Sequence, residues 1–486
     1  MTPPTIDQQI NDAVAPFSKA FSDVVFFEVP VAGVGVPVVV AWLVFGAAFF
    51  TLYFRGINLR GIPMAWRVLR GDFDAPDAPG EITHFQALTT ALSGTVGIGN
   101  IGGVAIAIAV GGPGATFWMI VAGFLGMATK FCECTLGVRY RRVNDDGSVS
   151  GGPMFYLSRG LAERGWPKVG RALGSFYAFG IVVGCLGIGN MFQANQAYIQ
   201  LLAVSGGAES PLKGSGWMIG LALALAVGGV IMGGIKSIAS VTEKLVPFMT
   251  VLYILGALAV IGMHLDAVPQ ALSNILSGAF TSQGLTGGAL GAVIVGMKRA
   301  VFSNEAGIGS ASIAHSAVQT DKPATEGLVA LFGPFFDTLI ICALSAMVIG
   351  VAAVAWPDFM DSGAKGVAMT SDAFGRTVWW FPYPLAVAAV LFAISTILSW
   401  AYYGMKGVAY LVGENQAWLT LFKVVYCSAI VLGAAVDLEQ VLNISDAMVF
   451  VLCVPNVLGL MILAPVAKKE LAKLQAYAAA KDRARS

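Results

Sequence analysis

Charge is scarce in this chain. Of its 486 residues only 12% are Asp, Glu, Lys or Arg, against roughly 25% in soluble proteins, so a soluble fold is excluded. The mean hydropathy of +0.76 says the same. A formal net charge of +1 leaves no clustered basic surface, and no nucleic-acid partner is expected. Histidine is rarer still: three residues, widely scattered, do not make a His-rich metal site. The six cysteines lie mostly inside apolar runs without a CxxC pair. They read as small core hydrophobes, not as a disulfide framework or a metal site. No span carries HExxH or GxSxG, and nothing pairs a nucleophile with a base, so the chain is not expected to be an enzyme. The N-terminus lacks a basic stretch followed by an early apolar run, and no cleaved signal peptide is indicated.

What the chain has in abundance is apolar length. Runs of about 18 or more apolar residues, enough to cross a bilayer as helix, fall near 35–54, 85–110, 114–137, 173–202, 216–233, 245–263, 286–316, 327–353, 379–403, 414–433 and 441–466. The expected fold is all-α and polytopic, with about eleven transmembrane helices in the lipid bilayer. Alternate loops together with the C-terminal tail carry 21 Lys/Arg, and the opposite-side segments carry 4. Positive residues stay inside, which places the N-terminus outside and the C-terminus in the cytoplasm, in the inner (plasma) membrane. Residues 1–34 form a polar N-terminal segment, 35–54 an extra helix, and 467–486 a basic tail. The ten remaining spans divide into five from 85 to 263 and five from 286 to 466. Because five is odd, the second set enters from the opposite face, which makes an inverted repeat.

Each set opens on an interrupted helix. Val96-Gly97-Ile98-Gly99-Asn100 lies in an otherwise apolar segment, and Ala306-Gly307-Ile308-Gly309-Ser310 is a near copy in the second set. Glycines weaken a helix by about 1 kcal/mol each, and freed backbone at membrane depth is tolerated only where it lines a cavity or binds something. Glycine for close helix packing is the alternative. Paired broken spans in corresponding places point to a transport site. The resumed half-helix offers free N–H groups to a carboxylate, here those of Ile98 and Gly99. The half before it offers carbonyls, those of Ser93, Thr95 and Val96, to Na⁺ or an ammonium group. Ser303 to Gly307 would carry the second unwound stretch.

Other polar residues lie at plausible depth. Asn190 and Gln193, three apart, share a helix face and suit an ammonium group, or else join helices. The carbonyl of Phe392 with the hydroxyls of Ser395 and Thr396 makes a neutral oxygen cluster, unless those hydroxyls simply back-bond to their helix. Glu305 is the most costly residue in a span, with Lys298 and Arg299 as candidate partners. Asp337 and Glu133 read as structural or cytoplasm-facing, and His315 as a hydrogen-bonded packing residue.

Five blocks carry a resemblance: Ser93-Gly-Thr-Val-Gly-Ile-Gly-Asn-Ile-Gly-Gly-Val-Ala, Gly111-Gly-Pro-Gly-Ala, Gly126-Met-Ala-Thr-Lys-Phe-Cys-Glu, Gly151-Gly-Pro-Met-Phe-Tyr and Arg299-Ala-Val-Phe-Ser-Asn-Glu-Ala-Gly-Ile-Gly-Ser-Ala. Together they closely resemble the alanine or glycine:cation symporter family. The resemblance implies a leucine-transporter (LeuT) type fold, five plus five inverted helices with one extra helix. It also implies import of alanine or glycine driven by Na⁺, by alternating access. A cation channel, or an H⁺-coupled transporter of another small zwitterion, is the competing expectation. Carried over by position, Ile98 and Gly99 would bind the substrate carboxylate. Gln193, Thr396 and Trp400 would likewise face the substrate, with Trp400 keeping the pocket small, and Thr95, Gly97, Asn190 and Phe302 are expected to complete the substrate pocket. Ser93, Val96, Phe392, Ser395 and Thr396 would hold Na⁺, and Asn100 would serve a second ion in some relatives. A monomer is the expected functional unit.

Overall fold

The computed structural model describes residues 6–31, 33–75, 77–144, 147–281 and 288–485. Residues 1–5 and 32 of the expected N-terminal segment, the first two residues of the 286–316 span, and residue 486 of the tail lie outside the described residues.

Among the described residues eight helices are long and apolar enough to cross a membrane: His84–Gly111, Gly114–Arg139, Pro167–Val204, Gly234–Met263, Pro323–Ala355, Pro382–Val412, Gln416–Ala435 and Glu439–Ala484. Val38–Tyr53 with Ile57–Leu69, bent by 62°, supplies a ninth if counted as one span. The other two expected spans fall on the shorter apolar helix Gly216–Ile231 and on the pair Gly288–Asn304 and Ala311–His315. Large apolar side chains such as Leu225, Phe248, Leu255 and Val387 point outward and are more than half exposed. A surface of that kind suits lipid and not water.

Local chemistry sets the ends of the central helices. Thr83 starts the first broken helix with a reciprocal cap: its Oγ1 accepts from the Gln86 N–H at 3.2 Å, and Gln86 Oε1 accepts from the Thr83 N–H at 3.1 Å. The helix ends at Gly112, and Pro113 precedes the next one, Gly114–Arg139. The two halves of the first broken helix pack on Pro382–Val412 and on Gly288–Asn304, which brings all the interrupted backbone to one place.

Both described ends of the chain pack on the rest of it. Ile6–Val25 is helical and packs on the long C-terminal helix Leu438–Arg485. That helix runs 48 residues, so the expected basic tail is its continuation and not a free segment. Its far end is fixed by Arg67 to Asp482 at 2.6 Å and by Lys481 Nζ to the Asp72 carbonyl at 2.5 Å.

One end of the bundle is closed by backbone. The Glu81 N–H donates to Ala317 O at 2.7 Å, and the Gln319 N–H to Ile82 O at 2.9 Å. Arg141 donates to four carbonyls around this joint, those of Pro79, Ser316, Val318 and Thr320, at 2.6–2.8 Å. Burial lowers the pKa of this guanidinium below its ordinary value without removing its charge. Next to it Glu326 accepts from both His84 and His315, so the carboxylate links the start of the first broken helix to the end of the second. His315 is thus the hydrogen-bonded packing residue expected.

Candidate functional site

The first broken helix is interrupted where two residues leave the helical region. Val96 takes φ −74°, ψ 103° and Gly97 takes φ −164°, ψ −155°, both extended. Any residue adopts such angles, so crowding explains the glycine. A Cβ at 97 would lie 2.8 Å from Thr396 Oγ1, 3.6 Å from Gln193 Oε1 and 4.0 Å from the Phe392 carbonyl. Four of the expected site residues therefore converge on one point. The Gly97 N–H donates to Asn100 Oδ1 at 2.8 Å. Ile98 and Gly99 open the resumed helix, where N–H groups have no helical acceptor.

Pro382–Val412 is stitched to this break by neutral oxygens. Thr396 Oγ1 donates to Ser93 O at 2.8 Å, Ser93 Oγ to Ser395 O at 2.7 Å, and Ser395 Oγ to Phe392 O at 3.0 Å. All four residues are buried. Carbonyls and hydroxyls gathered this closely are the oxygen donors that hard cations take. The Thr95 hydroxyl is engaged elsewhere, with Ala91 O and Leu92 O at 3.3 Å.

The second break is longer and is held by carboxylates. Glu305 follows Gly288–Asn304 in a left-handed conformation, φ 58°, a strain of about 1–3 kcal/mol for a residue with a side chain. Its Oε1 accepts from Trp400 Nε1 at 2.9 Å, and its Oε2 from the Ser310 hydroxyl. Glu133 Oε1 accepts from the Gly307 N–H and from Asn456 Nδ2, both at 2.9 Å, and Asn456 Nδ2 also donates to Gly307 O at 2.8 Å. Asp337 joins the two breaks. It accepts from Asn100 Nδ2 at 2.5 Å, Ser303 Oγ at 2.6 Å and Thr338 Oγ1 at 2.6 Å.

Some expectations are corrected here. Lys298 and Arg299 do not partner Glu305; both pair with Asp446 on the C-terminal helix, Lys298 at 2.9 Å. They lie one and a half to two turns before the break, and their side chains reach that neighbouring helix instead. Asp337 and Glu133 are not cytoplasm-facing but fully buried, at the centre. Asn190 and Gln193 do not act on one face, because a π-turn over Gly187–Met191 shifts the helical register between them. Asn190 Nδ2 turns to Tyr426 O at 2.8 Å. Gln193 Nε2 bonds Ile188 O at 3.2 Å, and its buried Oε1 has no hydrogen-bond partner among the described residues.

Trp400 forms a wall, fully buried, its Nε1 also 3.3 Å from Gly94 O. A Cβ on Gly189 would sit 1.9 Å from the Trp400 ring, so only glycine admits the indole. Phe302 stands edge-on to Phe192 with centroids 4.8 Å apart, and a Cβ on Gly99 would meet it at 3.9 Å. Asn456 and Gly189 were not singled out in the sequence. A polar Asn beside Pro455 in an apolar run was the available signal for the first of them.

Extended and unwound backbone at the centre of a helical membrane bundle is the hallmark of a transport site. The sodium:alanine symporter family profile matches residues 24–485. The chain belongs to the sodium:alanine symporter family. It is 38% identical over 424 residues to the sodium/alanine symporter AgcS of Methanococcus maripaludis, covering 87% of this chain and 90% of that one. It is 32% identical over 430 residues to the "Probable sodium/glutamine symporter GlnT" of Bacillus subtilis, covering 88% and 85%. Among solved structures it resembles MhsT in complex with L-phenylalanine, with TM-score 0.58 and 14% identity, over 80% of this chain and 97% of that one. The fold is accordingly the leucine-transporter type, an all-α polytopic inverted-repeat core with two discontinuous helices. This family member is a multi-pass membrane protein that couples amino-acid transport to Na⁺, and it is a transporter and not an enzyme.

Proposed function

We propose that this chain imports alanine or glycine with Na⁺ by alternating access. The observation that carries the reading is the polarity around Gly97: the unpartnered Gln193 Oε1 lies beside it, and the first N–H groups of the resumed helix follow it directly in the chain. An ammonium group fits the first and a carboxylate the second. The carboxylate is held by Ile98 and Gly99, the ammonium by Gln193, and the side chain lies between Phe302 and Trp400. Trp400 fills space that a larger side chain would need. Thr95, Gly97 and Thr396 complete the wall, while Asn190 supports the helix carrying Gln193. Na⁺ takes the Ser93, Val96 and Phe392 carbonyls with the Ser395 and Thr396 hydroxyls, joining the first break to Pro382–Val412. Asp337 with Ser303 and Asn100 is the acidic set suited to a second ion. Eleven spans, an outside N-terminus, repeats over 85–263 and 286–466, and a monomeric unit in the plasma membrane belong to the same proposal.

The test is uptake of labelled alanine and glycine into proteoliposomes with Na⁺, Li⁺ or H⁺ gradients imposed separately. Na⁺ alone should drive accumulation, and Asn100→Ala, Gln193→Ala and Thr396→Ala should each impair it in folded protein. Normal uptake in all three variants would refute the site. Accumulation driven by H⁺ alone would refute the ion, and ungated ohmic current would mark a channel.

A further inference from the structure

A basic hollow lies far from the central site, at the elbow of the extra helix. Val38–Tyr53 is apolar, and at its end the chain turns by 62° into Ile57–Leu69. The C-terminal helix runs past this elbow and leaves a cavity of about 310 Å³, with Arg55, Arg60 and Lys468 on its wall beside Tyr53 and Gln475. Among the described residues no Asp or Glu lines it. The three cations are exposed, and none has an ion pair or a side-chain hydrogen bond among the described residues. Lys468 only caps the Tyr53 ring, its Nζ 4.7 Å from the centroid. Neighbouring cations are placed differently: Arg67 pairs with Asp72 at 2.9 Å and Asp482 at 2.6 Å, and Lys473 with Glu470 at 2.7 Å. Arg55 also takes φ 54°, a left-handed conformation that glycine or asparagine adopts at less cost. The elbow thus bears strain with a full arginine side chain at the cavity wall.

We propose that this cavity holds the headgroup of an anionic phospholipid of the inner leaflet, its phosphate on Arg55, Arg60 and Lys468 and its acyl chains along Leu52 and Leu59. The leaflet follows from the orientation proposed above, which puts this basic end in the cytoplasm. Guanidinium forks and an ammonium group are the donors that phosphate takes, and basic hollows between helices on the cytoplasmic side collect such headgroups. A lipid is favoured over a soluble anion by the rim. Leu52 and Leu59, next in the chain to Tyr53 and Arg60, are 78% and 68% exposed, and Trp66 is 48% exposed. Large apolar side chains and an indole beside cations mark the boundary between acyl chains and headgroups. Leu328 connects this cavity to the inner mouth. It lines the cavity and follows by two residues Glu326, the carboxylate that accepts from His84 and His315. A Cβ on Gly61 would lie 3.1 Å from Leu328, so the elbow rests directly on that helix. A bound headgroup therefore joins the elbow, the C-terminal helix and the helix that carries Glu326.

The experiment titrates the full-length chain in detergent with phosphatidylglycerol, phosphatidylcholine, diacylglycerol or inorganic phosphate. Bound lipid is counted by native mass spectrometry, and the thermal unfolding midpoint is followed beside it. Phosphatidylglycerol should bind and raise the midpoint, as any ligand of the folded state does. Phosphatidylcholine and diacylglycerol should bind at least about tenfold more weakly, lacking the net charge that the cations attract. Replacing Arg55, Arg60 and Lys468 together by Gln should abolish the preference for phosphatidylglycerol. Ala472→Phe should abolish it too, because it fills the cavity with all three cations in place, and it carries the test if the triple variant does not fold. Replacing Arg164, Lys168 and Arg171 by Gln removes the same charge from the same face outside the cavity and should leave the preference intact. Equal loss in the two triple variants overturns the site in favour of the general attraction of a positive face. Full binding in Ala472→Phe overturns its location, and a midpoint rise with inorganic phosphate as large as with phosphatidylglycerol overturns the lipid. Binding is read without transport, so each result stands whether or not the chain carries alanine.

Discussion

At the first break two extended residues interrupt the helix, and the groups that close it directly are neutral, the Asn100 amide and the Ser93, Ser395 and Thr396 oxygens, with the Asp337 carboxylate reaching it only through Asn100 Nδ2. At the second break the interruption runs from Glu305 to Ser310, and carboxylates close it, those of Glu133, Glu305 and Asp337. Neutral oxygens in mutual contact are easily rearranged around a ligand, since each gives up a hydrogen bond worth only about 1 kcal/mol net. Carboxylates with several buried donors are not, because removing any member strands the others. Under the proposed function the first break is the part that opens and binds, and the second is the frame against which it does so.

This contrast is best challenged at Glu133. Glu133→Ala leaves the Gly307 N–H and the Asn456 amide unpartnered, at about 1–3 kcal/mol each, so the thermal unfolding midpoint in detergent should fall by several degrees. Glu133→Gln, which keeps an acceptor, should recover most of that fall. Equal midpoints for Glu133→Ala and the wild type would end the frame interpretation. Gly97→Ala comes next. Its methyl would press on Thr396 Oγ1 at 2.8 Å, an overpacking of about 1–3 kcal/mol, so uptake should drop about tenfold or more while the midpoint moves less than in Glu133→Ala. Thr396→Val is a gentler probe that keeps the shape and removes the hydroxyl. The Na⁺ concentration for half-maximal uptake should rise about tenfold, which corresponds to about 1.4 kcal/mol, with little change in the unfolding midpoint. The smallest effect is expected for Trp400→Phe, which removes the hydrogen bond to Glu305. Competition assays should show 2-aminobutyrate gaining a few-fold on alanine.

Much of the first break was legible in the sequence because its makers are neighbours. Val96 to Asn100 interrupt an apolar run, and Phe392, Ser395 and Thr396 are one turn apart on a single helix. The second break shows the limit. The Glu133 that holds it lies 174 residues before Gly307, and the Asn456 that completes it lies 149 residues after. No local pattern links such residues, so a buried carboxylate reads the same as a peripheral one until packing brings its donors. Helical periodicity failed at Asn190 for a different reason. It assumes 3.6 residues per turn, and the π-turn over Gly187–Met191 breaks that assumption. Lys298 and Arg299 were assigned to the nearest acid in sequence, whereas Asp446 on a packed neighbour reached them first.

The four carbonyls gathered by Arg141 have a consequence for leakage. All are main-chain groups, so while Arg141 holds them residues 79–82 and 316–320 are kept together as segments. When these segments part, the paired backbone at Glu81, Ile82, Ala317 and Gln319 separates in the same movement. Water must then satisfy every one of these groups together, which leaves no cheap half-open arrangement. A mouth that is either shut or open denies ions a path down their gradient for as long as it is shut.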